Sequence, residues 1–179
     1  MATKVLVSIV AESSAQCFTT EVHISRAYLE TTNAISFTDE YMEVQYPDYK
    51  CPLYLTASIN EVQVRRVLVD TGLSLNLILV NTLQDANILR RKIQGRFMEV
   101  TGFRGAAEHT IGYIQLALKV GPILSLTRFH VIDFSVSYHV LLGHPWLHKY
   151  KLVSSTYHQC VKGRLNGKPI RLLANNTPF

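Results

Sequence analysis

The run Val67-Leu68-Val69 ends in Asp70, Thr71 and Gly72: three apolar residues, then a carboxylate, a hydroxyl and a residue with no side chain. A carboxylate held at a tight turn can take or give a proton, the hydroxyl beside it can hydrogen-bond, and the glycine lets another backbone come close. The plain alternative is an ordinary β-turn, in which Asp and Gly are common. A second group of chemistry-bearing residues is His144 and His148, four apart on a segment read as a helix, with His158 and Cys160 further on. That spacing is only loosely zinc-like and matches no known finger, so the histidines read as helix-surface residues, Cys160 as packed in a hairpin, and no metal is expected. Arg90, Arg91, Lys92, Arg96 and Arg104 form a third group, but only Phe97 and Phe103 lie among them, so nucleic acid is not an expected partner.

The elements that must carry Asp70 are strands. From Pro52, PLYLTASI alternates apolar and polar residues, Asn60 and Glu61 make a polar pair, and VQVRRVLVD alternates again until the continuous run at Val67. This is a hairpin feeding a buried strand. After Gly72 comes a strand-like stretch with one or two helical turns near 81–86. Two β-rich segments follow, with Gly102, Gly105, Gly112 and Gly121 at turns or close approaches. Pro145 suits the first turn of a helix over GHPWLHKYK, in which Trp146 is expected to bury its ring against the sheet. Asn166-Gly167 between two alternating segments is the strongest hairpin signal in the chain. No βα alternation and no long repeat interrupts this pattern, so the domain is expected to be mostly β and closed or nearly so.

Composition agrees with a packed domain. Of 179 residues, 47% are hydrophobic and 17% charged, enough for one sizeable core and too apolar for a disordered chain. The net charge of +5 is a mild basic bias that fits a solvated face. Three cysteines at wide spacing favour a reducing compartment, cytoplasmic or nuclear. The apolar stretch from Val5 to Ala11 is far short of the roughly 20 residues that span a bilayer, so no membrane partner is expected. Residues 1–45, rich in Ser, Thr and Glu, read as a poorly ordered leader or arm, and 46–175 as the domain with its C-terminal hairpin.

Apolar-DTG, the glycine-flanked TGFRGA and then HVLLGHPWL follow one another in an order that resembles the retropepsins, the aspartic proteases of retroviruses and LTR retrotransposons. The likeness is strongest to plant gypsy-type polyproteins, through YMEVQYPDYKCPLYL, VLVDTG, MEVTGF, YHVLLGHPWLH and SSTYHQCVKGRLNGKPIR, and covers residues 36–179. It implies an all-β, retropepsin-like closed barrel of the acid protease fold with one short helix on the C-terminal side. It also implies an aspartic endopeptidase that acts on polypeptides without a cofactor.

Such chemistry needs two carboxylates sharing a proton, and the chain has one Asp-Thr-Gly, so the resemblance implies a homodimer. In it Asp70 is the catalytic carboxylate, Thr71 hydrogen-bonds across the axis, and Gly72 leaves room and offers its carbonyl to substrate. Gly102, Phe103, Arg104 and Gly105 form the tip of a flap over the peptide. Leu141, Leu142 and Gly143 support the loop from behind. Three positions depart from the family pattern: Leu73, expected to project toward the substrate, stands for a small residue; Arg104 for a flap glycine; and His144 for an arginine that braces the dimer. A catalytically inactive dimerisation or peptide-binding module is therefore the alternative.

Overall fold

The computed structural model describes residues 34–42, 50–101 and 107–179, and Ile35–Phe179 form one compact unit. Most of the leader expectation and all of 102–105 lie outside the described residues. The first hairpin joins β1 (Tyr54–Ile59) to β2 (Val62–Val69), and it turns where the polar pair stands. Asn60 and Glu61 both take positive φ, 48° and 67°, the geometry that matches the right-handed twist of two strands joined by two residues.

Next come β3 (Leu77–Leu79), helix α1 (Val80–Asp85) over the expected helical turns, and a 3-10 turn at Arg90–Lys92. Short strands β4 (Glu99–Thr101) and β5 (Ala107–His109) pair as a separate two-stranded sheet on either side of the glycine-flanked segment. The long hairpin β6 (Gly112–Val120) and β7 (Ile123–Ile132) reverses at Gly121, whose φ of +53° suits glycine. Strand β8 (Val140–Leu142) leads into helix α2 (His144–Lys149), which carries Pro145 in its first turn as the sequence implies. The chain closes with β9 (Val153–Ser155), β10 (Cys160–Leu165) and β11 (Lys168–Leu173), a three-stranded sheet that turns at Asn166-Gly167 with both φ positive.

Six strands close into a barrel in the order β1-β2-β8-β3-β7-β6, with β6 returning to β1. Closure removes the open edges that a six-stranded sheet would otherwise present. Val67, Leu118, Phe129, Val131, Val140 and Leu142 fill the interior with no exposed surface, and Trp146 from α2 joins the same cluster at 1% exposure. Strand β7 breaks the simple inside-outside rule. Its Ser125 and Thr127 are buried and bonded to each other at 2.9 Å, and Ser125 also donates to the Leu118 carbonyl, while Leu124 and Leu126 face out at 72% and 62% exposure. Hydroxyls can sit inside a barrel at low cost when each finds a partner, as these do.

Candidate active site

Asp70 stands where β2 ends, and its position is decided by three strands. β8 runs parallel to β2, pairing Val67 with Val140, Leu68 with Leu141 and Val69 with Leu142, and β3 lies antiparallel on its far side. The amide of Val69 donates to Leu53 O and that of Asp70 to Leu142 O, each at 3.0 Å. The turn then folds back on its own acid: the Gly72 amide donates to Asp70 Oδ1 at 2.7 Å. One carboxylate oxygen is thereby oriented by the loop, on a half-buried side chain, and Thr71 and Gly72 beside it are exposed.

The loop after Asp70 is clasped from behind. Gly143 donates its N–H to Asn76 Oδ1 at 3.0 Å, Asn76 Nδ2 donates to Arg128 O at 3.2 Å, and His144 N–H donates to Leu73 O at 2.9 Å. A Cβ at Gly143 would strike the carbonyls of both Leu73 and Leu75. Leu141, Leu142 and Gly143 are all buried, Leu141 in a cluster with the half-buried Leu73 and Leu75, and Leu142 in the barrel interior. Leu73 is half-buried and packs with the cluster of Leu77, Ile132 and Leu141.

Two residues outside the sequence expectation shape the site. Asn76 is 5% exposed and joins three segments that are far apart in the chain. A lone amide inside the apolar run LNLILV is itself a signal, because a buried side-chain amide must find partners. Tyr138 is the other: burial, then the charge of Asp70, then Tyr54, push its phenol up to about 12, so it stays protonated within electrostatic reach of the carboxylate.

His139, the residue before β8, accepts a hydrogen bond at Nε2 from Arg66 Nε at 3.1 Å, which puts its own proton on Nδ1. Its carbonyl accepts from Leu79 N–H and from Thr82 Oγ1. Burial first, and the Arg66 charge second, lower its pKa below the ordinary 6.5. The folded protein therefore binds this proton less readily than the unfolded chain, so the associated stability is complete above pH 6.5 and is lost as pH falls through the folded value. Thermal melts between pH 8 and 5 should show Tm declining below about 6.5. His139→Gln, which keeps an acceptor for Arg66 but cannot titrate, should flatten that decline; His130, lowered in the same direction by burial and Arg128, supplies a residual slope.

The remaining sequence candidates do not converge. His144 and His148 are exposed with rings stacked at 5.2 Å, whereas His158 Nδ1 is bonded to Ser155 and Cys160 is buried in β10. Among the described residues no three His, Cys, Asp or Glu side chains are grouped to hold a metal ion. No described helix is long and apolar enough to cross a membrane.

The fold is that of retropepsin-like protease domains. The retroviral protease-like domain of Ddi1 from Leishmania major matches with a TM-score of 0.51 at 19% identity, over 70% of this chain and 94% of that one. EIAV protease, in complex with the inhibitor HBY-793, is similar at a TM-score of 0.49 and 21% identity, over 61% of this chain and 97% of its own. A retropepsin-like aspartic protease from Rickettsia conorii gives 0.49 and 19%, over 63% and 83%. No protein-family model and no curated protein matches the chain.

Proposed function

We propose that this chain is an aspartic endopeptidase that works as a homodimer, one Asp70 from each copy meeting at the twofold axis. The observation that carries the reading is the single Asp70 carboxylate at the end of β2, with one oxygen oriented by the Gly72 amide and its loop clasped by Asn76 and Gly143. One such carboxylate is half of the required pair. Two carboxylates sharing one proton let the ionised member take a proton from water as the water oxygen attacks the scissile carbonyl carbon, while the protonated member gives its proton to the carbonyl oxygen. The tetrahedral adduct then collapses with a proton passing to the amide nitrogen, and the C–N bond breaks.

In this reading Thr71 hydrogen-bonds across the axis, Gly72 offers its carbonyl to the substrate backbone, and Leu73 borders the substrate. Gly102, Phe103, Arg104 and Gly105 close over the peptide, and no cofactor takes part. The role that fits is cleavage of a polyprotein of the retrotransposon kind, within the cell.

The mass of the particle tests the reading directly. Sedimentation equilibrium over a concentration series at pH 5 and pH 7 should give twice the 20.2 kDa chain mass at the upper concentrations. A strict monomer throughout would leave one lone carboxylate and overturn the proposal.

A further inference from the structure

A cavity of about 260 Å³ that Asp70 does not line opens between α2, the outer part of β7 and Leu75 and Asn76 of the loop before β3. Leu75, Leu126, Pro145 and Trp146 give it an apolar side, Asn76, Gln115, Thr127 and His130 a polar one, and Arg128 and Lys149 two cations; no carboxylate lines it. Lys149 reaches over from α2, one of its three donors going to Leu126 O at 3.1 Å, and the Arg128 guanidinium lies 4.6 Å from the Tyr113 ring centroid. Trp146 is 1% exposed, and its indole Nε1–H is buried with no acceptor among the described residues.

A buried donor without a partner is disfavoured and calls for an explanation, of which a bound water or ion is one. Two cations with no opposing acid favour an anion. The apolar side selects an anionic group on a hydrocarbon stem over a strongly hydrated ion, for which a site of converging donors is the usual solution. Leu124, exposed on the same face of β7 two residues from Leu126, continues the apolar strip beyond the cavity, as an extended ligand would need.

We propose that this cavity, which Asp70 does not line, is a peptide-docking site that takes an acidic side chain next to an apolar residue. The carboxylate meets Lys149 and Arg128, and the apolar neighbour rests on Leu126. The inference does not depend on catalysis, so its failure and that of the protease reading are distinguishable.

Trp146 is the single tryptophan of the chain, so its indole N–H gives one unambiguous signal in a spectrum of the nitrogen-15 labelled protein. Titration with the capped dipeptide acetyl-Leu-Glu-amide should move that signal saturably. Acetyl-Leu-Gln-amide, of the same shape without the charge, should bind about tenfold or more weakly, and Lys149→Met should weaken the acidic peptide to a similar degree. Near-ultraviolet circular dichroism of Trp146 reports whether the variant is folded, and Arg128→Gln gives a second, independent loss. An absent or unsaturable shift, equal binding of the glutamine peptide, or the same shift at the same concentration of inorganic phosphate would each overturn the proposal.

Discussion

Asp70→Asn should abolish peptide-bond hydrolysis while leaving the fold and the particle mass unchanged. Asparagine is nearly isosteric, and its side-chain oxygen can still accept the Gly72 N–H that Asp70 Oδ1 accepts at 2.7 Å, so the turn has no reason to rearrange. What is lost is the ability to take a proton from water. General acid–base catalysis by a positioned group is worth about 10²–10⁴-fold, equivalent to about 3–5 kcal/mol of barrier. A peptide library incubated at pH 4–6 with wild type and variant, at concentrations where the wild type is dimeric, reads the effect. Cleavage that survives in the variant would remove Asp70 from the mechanism. A wild-type dimer that cleaves nothing would select the inactive, peptide-binding or dimerising reading of the same fold, to which the unusual Leu73, Arg104 and His144 lend themselves.

The second large effect is structural. Gly143 has φ −94° and ψ −164°, an extended conformation that any residue adopts, so its backbone does not demand glycine. Its surroundings do. A Cβ there would strike the Leu73 and Leu75 carbonyls, which are backbone atoms and cannot swing aside as a flexible side chain could. Gly143→Ala must therefore separate β8 from the loop after Asp70, breaking the Gly143–Asn76 and His144–Leu73 hydrogen bonds. Overpacking of this kind costs about 3 kcal/mol, which for a chain of this size lowers Tm by about 6–12 °C. Gly167→Ala is the informative comparison. It has positive φ, +77°, but open space around it, so alanine meets only the backbone penalty of about 1–2 kcal/mol and a smaller shift. Differential scanning calorimetry on both variants separates the two reasons for a glycine, and equal shifts would contradict the steric account.

Much of the architecture is legible because its causes are local. The polar pair Asn60-Glu61 and the Asn166-Gly167 pair stop strands whose alternation is plain on either side, and both turns form where the residues stand. Pro145 begins α2 because its fixed φ and missing N–H suit a first helical turn. The strand leading to Asp70 is readable for the same reason: VLV is a continuous apolar run, and β2 ends at Val69.

The clasp behind Asp70 is of another kind. Asn76 and Gly143 are 67 positions apart, and neither predicts the other. The parallel pairing of β2 with β8 is likewise set by barrel closure, which no single segment encodes. Even the inside-outside rule fails on β7, where alternation places Ser125 and Thr127 in the barrel and Leu124 and Leu126 outside. Hydropathy of Leu124 to Thr127 alone would face that stretch the other way; Ile123, Phe129 and Val131 inside, against Arg128 outside, fix the face of the strand.

The sequence by itself thus determined where the strands turn, that the chain closes on an apolar core, and which carboxylate stands at a glycine turn. Each of those follows from the conformational limits of one or a few neighbouring residues. Only the tertiary structure decided that Asn76 joins the Asp70 loop to Gly143, that Tyr138 comes within electrostatic reach of Asp70, and that Trp146, Arg128 and Lys149 border one cavity. Those depend on segments brought together by closure of the barrel, and closure is a property of all six strands at once.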